Sequence, residues 1–341
     1  VRTLGTATAE ADEWADAPVA RRPGRAAGAW IAALLLLGVS IVVGCRIADT
    51  DGITPVPQVI AFLPWLLAPT GLALLLAGLA RWRVGLVWGV LAAAAIAWFI
   101  EPYGKTSEPK GTPVAELRVL TSNVEFGQAT DELIEIVRSE KPDLVFVEEC
   151  EVTCDEKLTR AFRAEGARET YPYRQAVEGY GSDGSVILSR YPLKPAPGVK
   201  GTMGMPGAIA DVKGREVRVQ LAHPMPPLPA HVDDWQRELD ALRDYAAADR
   251  TRPTILAGDF NASQDHAAFR RILDTGLRDG ARLTGEARTP TWPARTLPAF
   301  GTQIDHILVS EDFAADRSRF LDLKNSDHRS LLLDLTLHEQ D

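Results

Sequence analysis

Apolar and polar positions divide this chain into two unlike halves. Ala26 to Cys45 is a run of 20 uncharged residues centred on four successive leucines, Leu34 to Leu37. Val59 to Ala80 is a second run, 22 residues long, with Pro64 and Pro69 inside it, and Val84 to Ile100 is a third of 17. A helix needs about 20 apolar residues, with a range reaching down to about 17, to cross the hydrocarbon core of a bilayer. The runs therefore predict three transmembrane α-helices. The lead before the first run is long and acidic (Glu10, Asp12, Glu13, Asp16), which does not suit a signal peptide.

Beyond residue 100 the apolar runs shorten to strand length and alternate with helical periods. Leu117–Leu120 begins a strand that ends at Ser122-Asn123, and Asp143–Val147 is a buried run ending in Glu148-Glu149. Ser185–Ser189 is a third strand, and Val217–Ala222 alternates and ends at His223. Thr254–Ala257 stops abruptly at Gly258-Asp259-Phe260-Asn261, and Ile304–Val309 and Leu331–Leu337 are the last strands. Apolar residues at helical spacing (Leu133, Ile134, Val137; Val232, Trp235, Leu239, Leu242) predict helices over Asp131–Ser139 and His231–Ala247, with another from about Gln264 to Leu273. Several strands follow one another without an intervening helix. The expected architecture is an α/β two-sheet sandwich, with two mixed sheets packed face to face and helices outside. The implied organisation is a cytoplasmic tail over 1–25, a three-span membrane region over 26–100, a Pro/Gly-containing tether over 101–116 and a globular domain over 117–341.

Charge refines this picture. The first hundred residues hold seven of the 37 Lys/Arg and six of the 46 Asp/Glu, which leaves 30 basic and 40 acidic residues beyond them. An acidic domain argues against tight non-specific binding of nucleic acid, which needs many Lys/Arg contacts to phosphate. Arg21, Arg22 and Arg25 precede the first run, and Arg81 and Arg83 lie between the second and third. The positive-inside rule puts both places in the cytoplasm. Three crossings then deliver the globular domain to the outer face of the membrane. Trp30, Trp82, Trp98 and Tyr103 fall near the expected interfaces, where amphipathic rings are favoured. Cys150 and Cys154, with three residues between them, can bridge in an oxidising compartment; two unlinked thiols are the alternative. No second Cys/His pair at zinc-site spacing accompanies them.

The strand ends carry the chemistry. Asn123, Glu149, His223, Asp259, Asn261, Asp305, Asp327 and His328 all sit just after or just before a strand. Each alone is an ordinary turn residue or solvated edge; the ordered set is not. Val119-Leu120-Thr121-Ser122-Asn123, Asp143–Glu149, Gly184–Arg190, Gly258-Asp259-Phe260-Asn261, Ile304–Leu308 and Ser326-Asp327-His328 together resemble the endonuclease/exonuclease/phosphatase superfamily over roughly 117–338. The resemblance implies a two-sheet sandwich and a phosphoric ester or diphosphate hydrolase. It implies that Glu149 is the principal Mg²⁺ ligand, with Asn123 and Asp327 nearby or through water and Mn²⁺ as the alternative ion. It further implies that Asp259 orients or deprotonates the attacking water and that Asn261 binds phosphoryl oxygens. His328, held in its tautomer by Asp305, contacts phosphate or transfers a proton, and His223 protonates the leaving oxygen. Where the family commonly has Gln-Glu, this chain has Glu148-Glu149, so Glu148 is the alternative ligand. Trp292 stands where some relatives place a substrate-facing aromatic and is equally consistent with a core position.

The whole chain also resembles the VanJ-type teicoplanin-resistance membrane proteins. That implies hydrolysis of undecaprenyl diphosphate or a lipid-linked wall precursor outside the membrane, with the lipid membrane and a lipid-linked phosphate as partners and nucleic acid disfavoured. An anchored extracellular nuclease or a sphingomyelinase-like phosphodiesterase is the second expectation, and a non-catalytic envelope binder or sensor the third.

Overall fold

The computed structural model describes residues 23–109, 111–163 and 170–339. Residues 1–22, with Arg21 and Arg22 of the expected cytoplasmic tail, lie outside the described residues.

The first apolar run forms one helix, α1 (Pro23–Ile47). The second does not form one helix. It breaks into α2 (Val56–Ile60), a 3₁₀ turn (Leu63–Leu66) and α3 (Leu67–Leu79). Pro64 near the start of the turn lacks a backbone N–H, and its ring clashes with a helical carbonyl four residues back, so the helix that would run through 59–66 is interrupted. Pro69 falls in the first turn of α3, where it is tolerated. The third run forms α4 (Arg83–Ile100). The expectation of three transmembrane helices is therefore corrected. Two helices, α1 and α4, are long and apolar enough to cross a membrane, and the apolar stretch Leu63–Leu79 between them is shorter.

α1, α3 and α4 pack together through Ala32, Leu36, Ala73, Ala77, Ala92 and Ile96, all buried. Small residues let the backbones approach closely; a methyl group on Gly89 would lie 2.5 Å from Leu74 Cδ2. The outward faces are apolar too. Trp30, Leu34, Leu75, Leu79, Val87 and Trp98 are all exposed. A soluble monomer rarely shows so continuous an apolar surface.

The remainder is the two-sheet sandwich. Its elements in chain order are β1 (Pro113–Asn123), α5 (Thr130–Glu140), β2 (Leu144–Glu148), α6 (Val152–Phe162), β3 (Tyr173–Val177), β4 (Ser185–Ser189), β5 (Leu193–Ala196), β6 (Gly207–Val212) and β7 (Arg215–Ala222). Then come α7 (Val232–Ala248), β8 (Thr254–Asp259), α8 (Ala267–Leu273), β9 (Arg278–Asp279), α9 (Gly280–Leu283), β10 (Asp305–Val309), β11 (Phe313–Asp322) and β12 (Arg329–His338). One sheet has the order β11-β12-β1-β2-β4-β3 and the other β5-β6-β7-β8-β10-β9. Two pairs are parallel, β1 with β2 and β7 with β8. A parallel pair needs a crossover, which α5 and α7 supply. Val119, Phe146 and Leu333 from one sheet meet Val219, Ile255 and Ile307 from the other in a fully buried core.

The register sets where chemistry can happen. β1, β2, β7 and β8 end at the same rim where the antiparallel β10 and β12 begin. In the ladders Asn123 is opposite Glu148, Ala222 is opposite Gly258, and Asp259 is opposite Asp305.

The expected tether is also corrected. Residues 101–109 lie on the sandwich. Tyr103 N–H donates to Gln264 Oε1 at 2.9 Å, and its hydroxyl donates to Asp274 at 2.7 Å, so this ring docks on the domain. Arg282 Nε donates to Gly104 O at 3.1 Å, and residues 113–116 already belong to β1.

Candidate active site

The strand-end residues converge at one rim. Glu149 follows β2 in the left-handed region at φ 56°, and this turn separates it from its neighbour. Glu148 stays in the strand, fully buried, with Oε1 accepting from Thr121 Oγ1 at 3.0 Å and Oε2 unpartnered. Burial pushes the Glu148 carboxyl well above the ordinary range, and the Asp305 charge adds to the effect. Glu148 therefore lies beneath the site with its charged form disfavoured, while Glu149 lines the cavity. Glu149 Oε1 accepts from Asn123 Nδ2 at 3.2 Å, and Oε2 accepts from Phe126 N–H at 2.9 Å. Burial raises the Glu149 carboxyl, against the pull of those two hydrogen bonds.

On the facing sheet, Gly258 adopts φ 151° with Ala222 O so close that a methyl group there would lie 2.0 Å from it. Only glycine fits between β7 and β8 at this point. The next residue, Asp259, is placed across from Asn123. Asp259 Oδ2 accepts from Asn123 Nδ2 at 3.1 Å and Oδ1 from Asn261 N–H at 2.8 Å. Asn123 thus ties the two sheets together by bonding both Glu149 and Asp259. Burial pushes Asp259 up to about 7; the His328 cation works against this and the Asp305 charge with it.

His328 Nδ1 bonds Asp305 Oδ2 at 2.9 Å, and its Nε2 faces Asp259 Oδ2 at 3.7 Å and Asp327 Oδ1 at 3.9 Å. Burial disfavours the imidazolium, yet the charges of Asp305 and Asp259 outweigh it and raise His328 to about 10. His223 is the opposite case. It is fully buried, 3.9 Å from Glu149 Oε1, and neither ring nitrogen has a partner. Burial and the nearby His328 charge lower it to about 3, so it is neutral. Asn261, also at positive φ, donates from Nδ2 to Pro224 O at 3.0 Å and keeps its second N–H.

All eight strand-end candidates are thus brought to one rim. Asp305 lies beneath it, does not line the cavity, and bonds His328 Nδ1. His306 beside it points elsewhere, to Asp279 at 2.8 Å and Ala262 O at 3.1 Å. Trp292 is neither a plain core residue nor a bare platform. Its Nε1–H donates to Asp327 Oδ2 at 2.9 Å while its ring lines the cavity, so it holds the carboxylate it touches. Cys150 and Cys154 form a disulfide immediately after Glu149, with Cα atoms 5.2 Å apart.

Sequence reading missed several supporting groups. Ser326 Oγ donates to Asn123 O at 2.8 Å and accepts from His328 N–H at 3.0 Å, locking the two loops together. Thr291 Oγ1 accepts from Ile304 N–H at 3.0 Å. Glu238 on α7 accepts from Thr202 N–H and from Met225 N–H, both at 2.7 Å, and fixes the loops bearing Met203 and Met225. The only signal for Glu238 was its place on the apolar side of α7, one residue before Leu239.

Two groups of donors could hold a cation. Asp259, Asp305 and His328 bring ligand atoms within 4.8 Å of one another. Within that trio His328 Nδ1 is already bonded to Asp305 Oδ2 at 2.9 Å. Glu149 and Asp327 line the cavity with hard carboxylate oxygens, the donor chemistry that suits Mg²⁺; Asn123 turns its Nδ2 to Glu149, and its Oδ1 accepts from Glu125 N–H at 2.9 Å. The unpartnered ring nitrogens of His223 beside them mark a place for a further group.

Comparison with known proteins decides the family. Residues 120–328 match the model of the endonuclease/exonuclease/phosphatase family. The chain belongs to that family. Its members are hydrolases acting on phosphoester bonds. Solved structures share the fold. An endonuclease/exonuclease/phosphatase from Beutenbergia cavernae is 21% identical, with a TM-score of 0.52 over 66% of this chain and 72% of that one. An AP endonuclease from Archaeoglobus fulgidus is 19% identical, also at 0.52, over 64% and 98%. A humanized D. rerio TDP2 is 17% identical at 0.52, over 64% and 98%. No curated protein matches the chain.

Proposed function

We propose that this protein is a membrane-anchored, metal-dependent phosphoesterase that hydrolyses a lipid-linked phosphate outside the cytoplasmic membrane. Undecaprenyl diphosphate or a lipid-linked wall precursor is the favoured substrate, and resistance to teicoplanin the cellular role. The observation that carries this reading is the cavity above the catalytic set. It measures about 530 Å³, none of its lining residues is Lys or Arg, and part of its wall comes from the apolar N-terminal region. A nuclease groove would instead present basic groups to successive phosphates.

The chemistry follows from the side chains. Asp259, whose carboxyl burial raises to about 7, takes a proton from the attacking water. The water oxygen forms a bond to phosphorus as the bond to the leaving oxygen breaks. The His328 imidazolium and the second N–H of Asn261 stabilise negative charge on the phosphoryl oxygens. His223, a neutral imidazole, donates one N–H to the same group. The role of resident acid therefore fits His328 better than His223. Glu149, Asn123 and Asp327 would hold Mg²⁺ or Mn²⁺, which when bound supplies positive charge against the phosphate and the leaving group.

The membrane reading rests on α1 and α4 and on the exposed apolar surface they share with α3. The chain returns through α3, so the ends of α1 and α4 near Ile47 and Ile100 and the sandwich lie together at one end of the bundle. Placing that end outside agrees with Arg81 and Arg83 at the opposite end.

A panel of undecaprenyl diphosphate, sphingomyelin and plasmid DNA, each with Mg²⁺, tests the substrate class. Release of phosphate from the first alone is expected; cleavage of DNA alone would replace the reading with a nuclease. In cells, the Asp259→Asn, His328→Ala double variant should insert normally and confer no teicoplanin resistance. Full resistance from that variant would make the protein a binder.

A further inference from the structure

The connection between α1 and α3 does more than link two helices. Pro57, Gln58, Ala61 and Phe62 line the same cavity as His223, Asp259 and His328. This segment is fixed to the sandwich by polar bonds. The buried Asp51 carboxylate accepts from Ala267 N–H at 2.6 Å and Ala268 N–H at 3.0 Å, where α8 begins. His266 bonds Pro57 O at 2.8 Å, and Thr302 Oγ1 donates to Ala61 O at 2.7 Å. Gln58 Nε2 donates to Pro227 O. Arg288 donates to Phe99 O at 2.8 Å and Ile100 O at 2.9 Å, which seats the end of α4. The wall is thus built into the site.

An aromatic series leads away from it. Trp292, beside Asp327, has its ring 6.2 Å from that of Phe62. Phe62 stacks on Phe300 at 5.7 Å, and Phe300 meets Trp65 edge-on at 5.0 Å. Trp65 is 40% exposed and Leu67 39%, at the start of the apolar face of α3. The series therefore joins the catalytic carboxylates to the outer apolar surface of the helices.

We infer that this path binds the hydrocarbon chain of a lipid phosphate drawn from the bilayer, with Phe62 as the residue that selects for chain length. The inference rests on the proposed function for its headgroup chemistry. The phosphate would sit over Asp259 and His328, the first carbons of the chain would lie against Trp292, and the carbons beyond them would run over the exposed edges of Phe62 and Phe300 towards Trp65. An acyl or prenyl chain that stays on aromatic surfaces along this route need not cross water between bilayer and catalytic site.

The full-length protein in lipid nanodiscs tests it through a pair of substrates with one headgroup, a C55 and a C5 prenyl diphosphate. Phe62→Ala should lower kcat/KM for the C55 substrate about tenfold more than for the C5 substrate, as expected for loss of a buried aromatic contact, with the difference carried by KM. Phe62→Leu should recover most of it. Equal losses on both substrates, or none on either, would overturn the assignment. Binding separates this failure from failure of the catalytic reading. Dodecyl phosphate and inorganic phosphate are titrated into wild type and Phe62→Ala by tryptophan fluorescence. If neither diphosphate is hydrolysed but dodecyl phosphate binds better than phosphate and loses that advantage in Phe62→Ala, the chain path stands and the hydrolytic reading falls. If hydrolysis is normal and indifferent to chain length, the reverse holds.

Discussion

His328 and Asp305 show how far single residues could be read. Their pairing followed from the family resemblance; the resulting charge did not, because it depends on burial and on Asp259 across the sheet. A folded value near 10 against about 6.5 unfolded means that the ion pair stabilises the fold fully below about pH 6.5 and ceases to do so as pH rises through about 10. Activity that needs the imidazolium should have an alkaline limb in that upper range. Asp305→Asn removes the counter-charge but leaves the burial, so the limb should move to lower pH; an unmoved limb in a pH–rate profile would show that His328 is not the group. The acidic limb should lie near 7, where Asp259 loses its proton. Gly258→Ala places a methyl group 2.0 Å from Ala222 O. It should destabilise the protein by at least about 2 kcal/mol, measured by denaturant unfolding, and lower activity with it. The choice between Glu148 and Glu149 was open in the sequence because both follow the strand. It turns on a single left-handed residue, which no apolar pattern signals.

Elements with two-sided burial were legible and edge elements were not. β2, β4 and β8 are buried along their whole length, and their apolar runs announced them. β3, β5 and β11 lie at sheet edges, are largely half-exposed, and were left unassigned. α6 went unread because its apolar stripe is short and includes Cys154. The second apolar run was read as one span because hydropathy outweighed its prolines; the backbone obeys the prolines. The disulfide closes a short loop between Glu149 and α6, with a sequence separation of four. Chain entropy for so small a loop is worth about 2 kcal/mol. Cys154→Ser should lower the unfolding midpoint accordingly, and a reducing agent should do the same to wild type while leaving Cys154→Ser unchanged.

At the scale of the molecule, the division into an apolar and an acidic half was plain from composition. Their docking was not, since it runs through Asp51, His266, Thr302 and Arg288, which are distant in sequence and ordinary in type. Asp51→Ala leaves two buried N–H groups of α8 unpaired and should cost about 1–3 kcal/mol. Limited proteolysis between residues 48 and 62 should accelerate in this variant. Unchanged protection would mean that the connection is held by its apolar contacts alone. The central claim is that a metal-dependent phosphoesterase site opens onto lipid. It is tested most directly by phosphate release from undecaprenyl diphosphate by the full-length protein in nanodiscs containing Mg²⁺. Release that is abolished by EDTA and by Glu149→Ala is the predicted result; no release by the wild type, or release that survives Glu149→Ala, would contradict it.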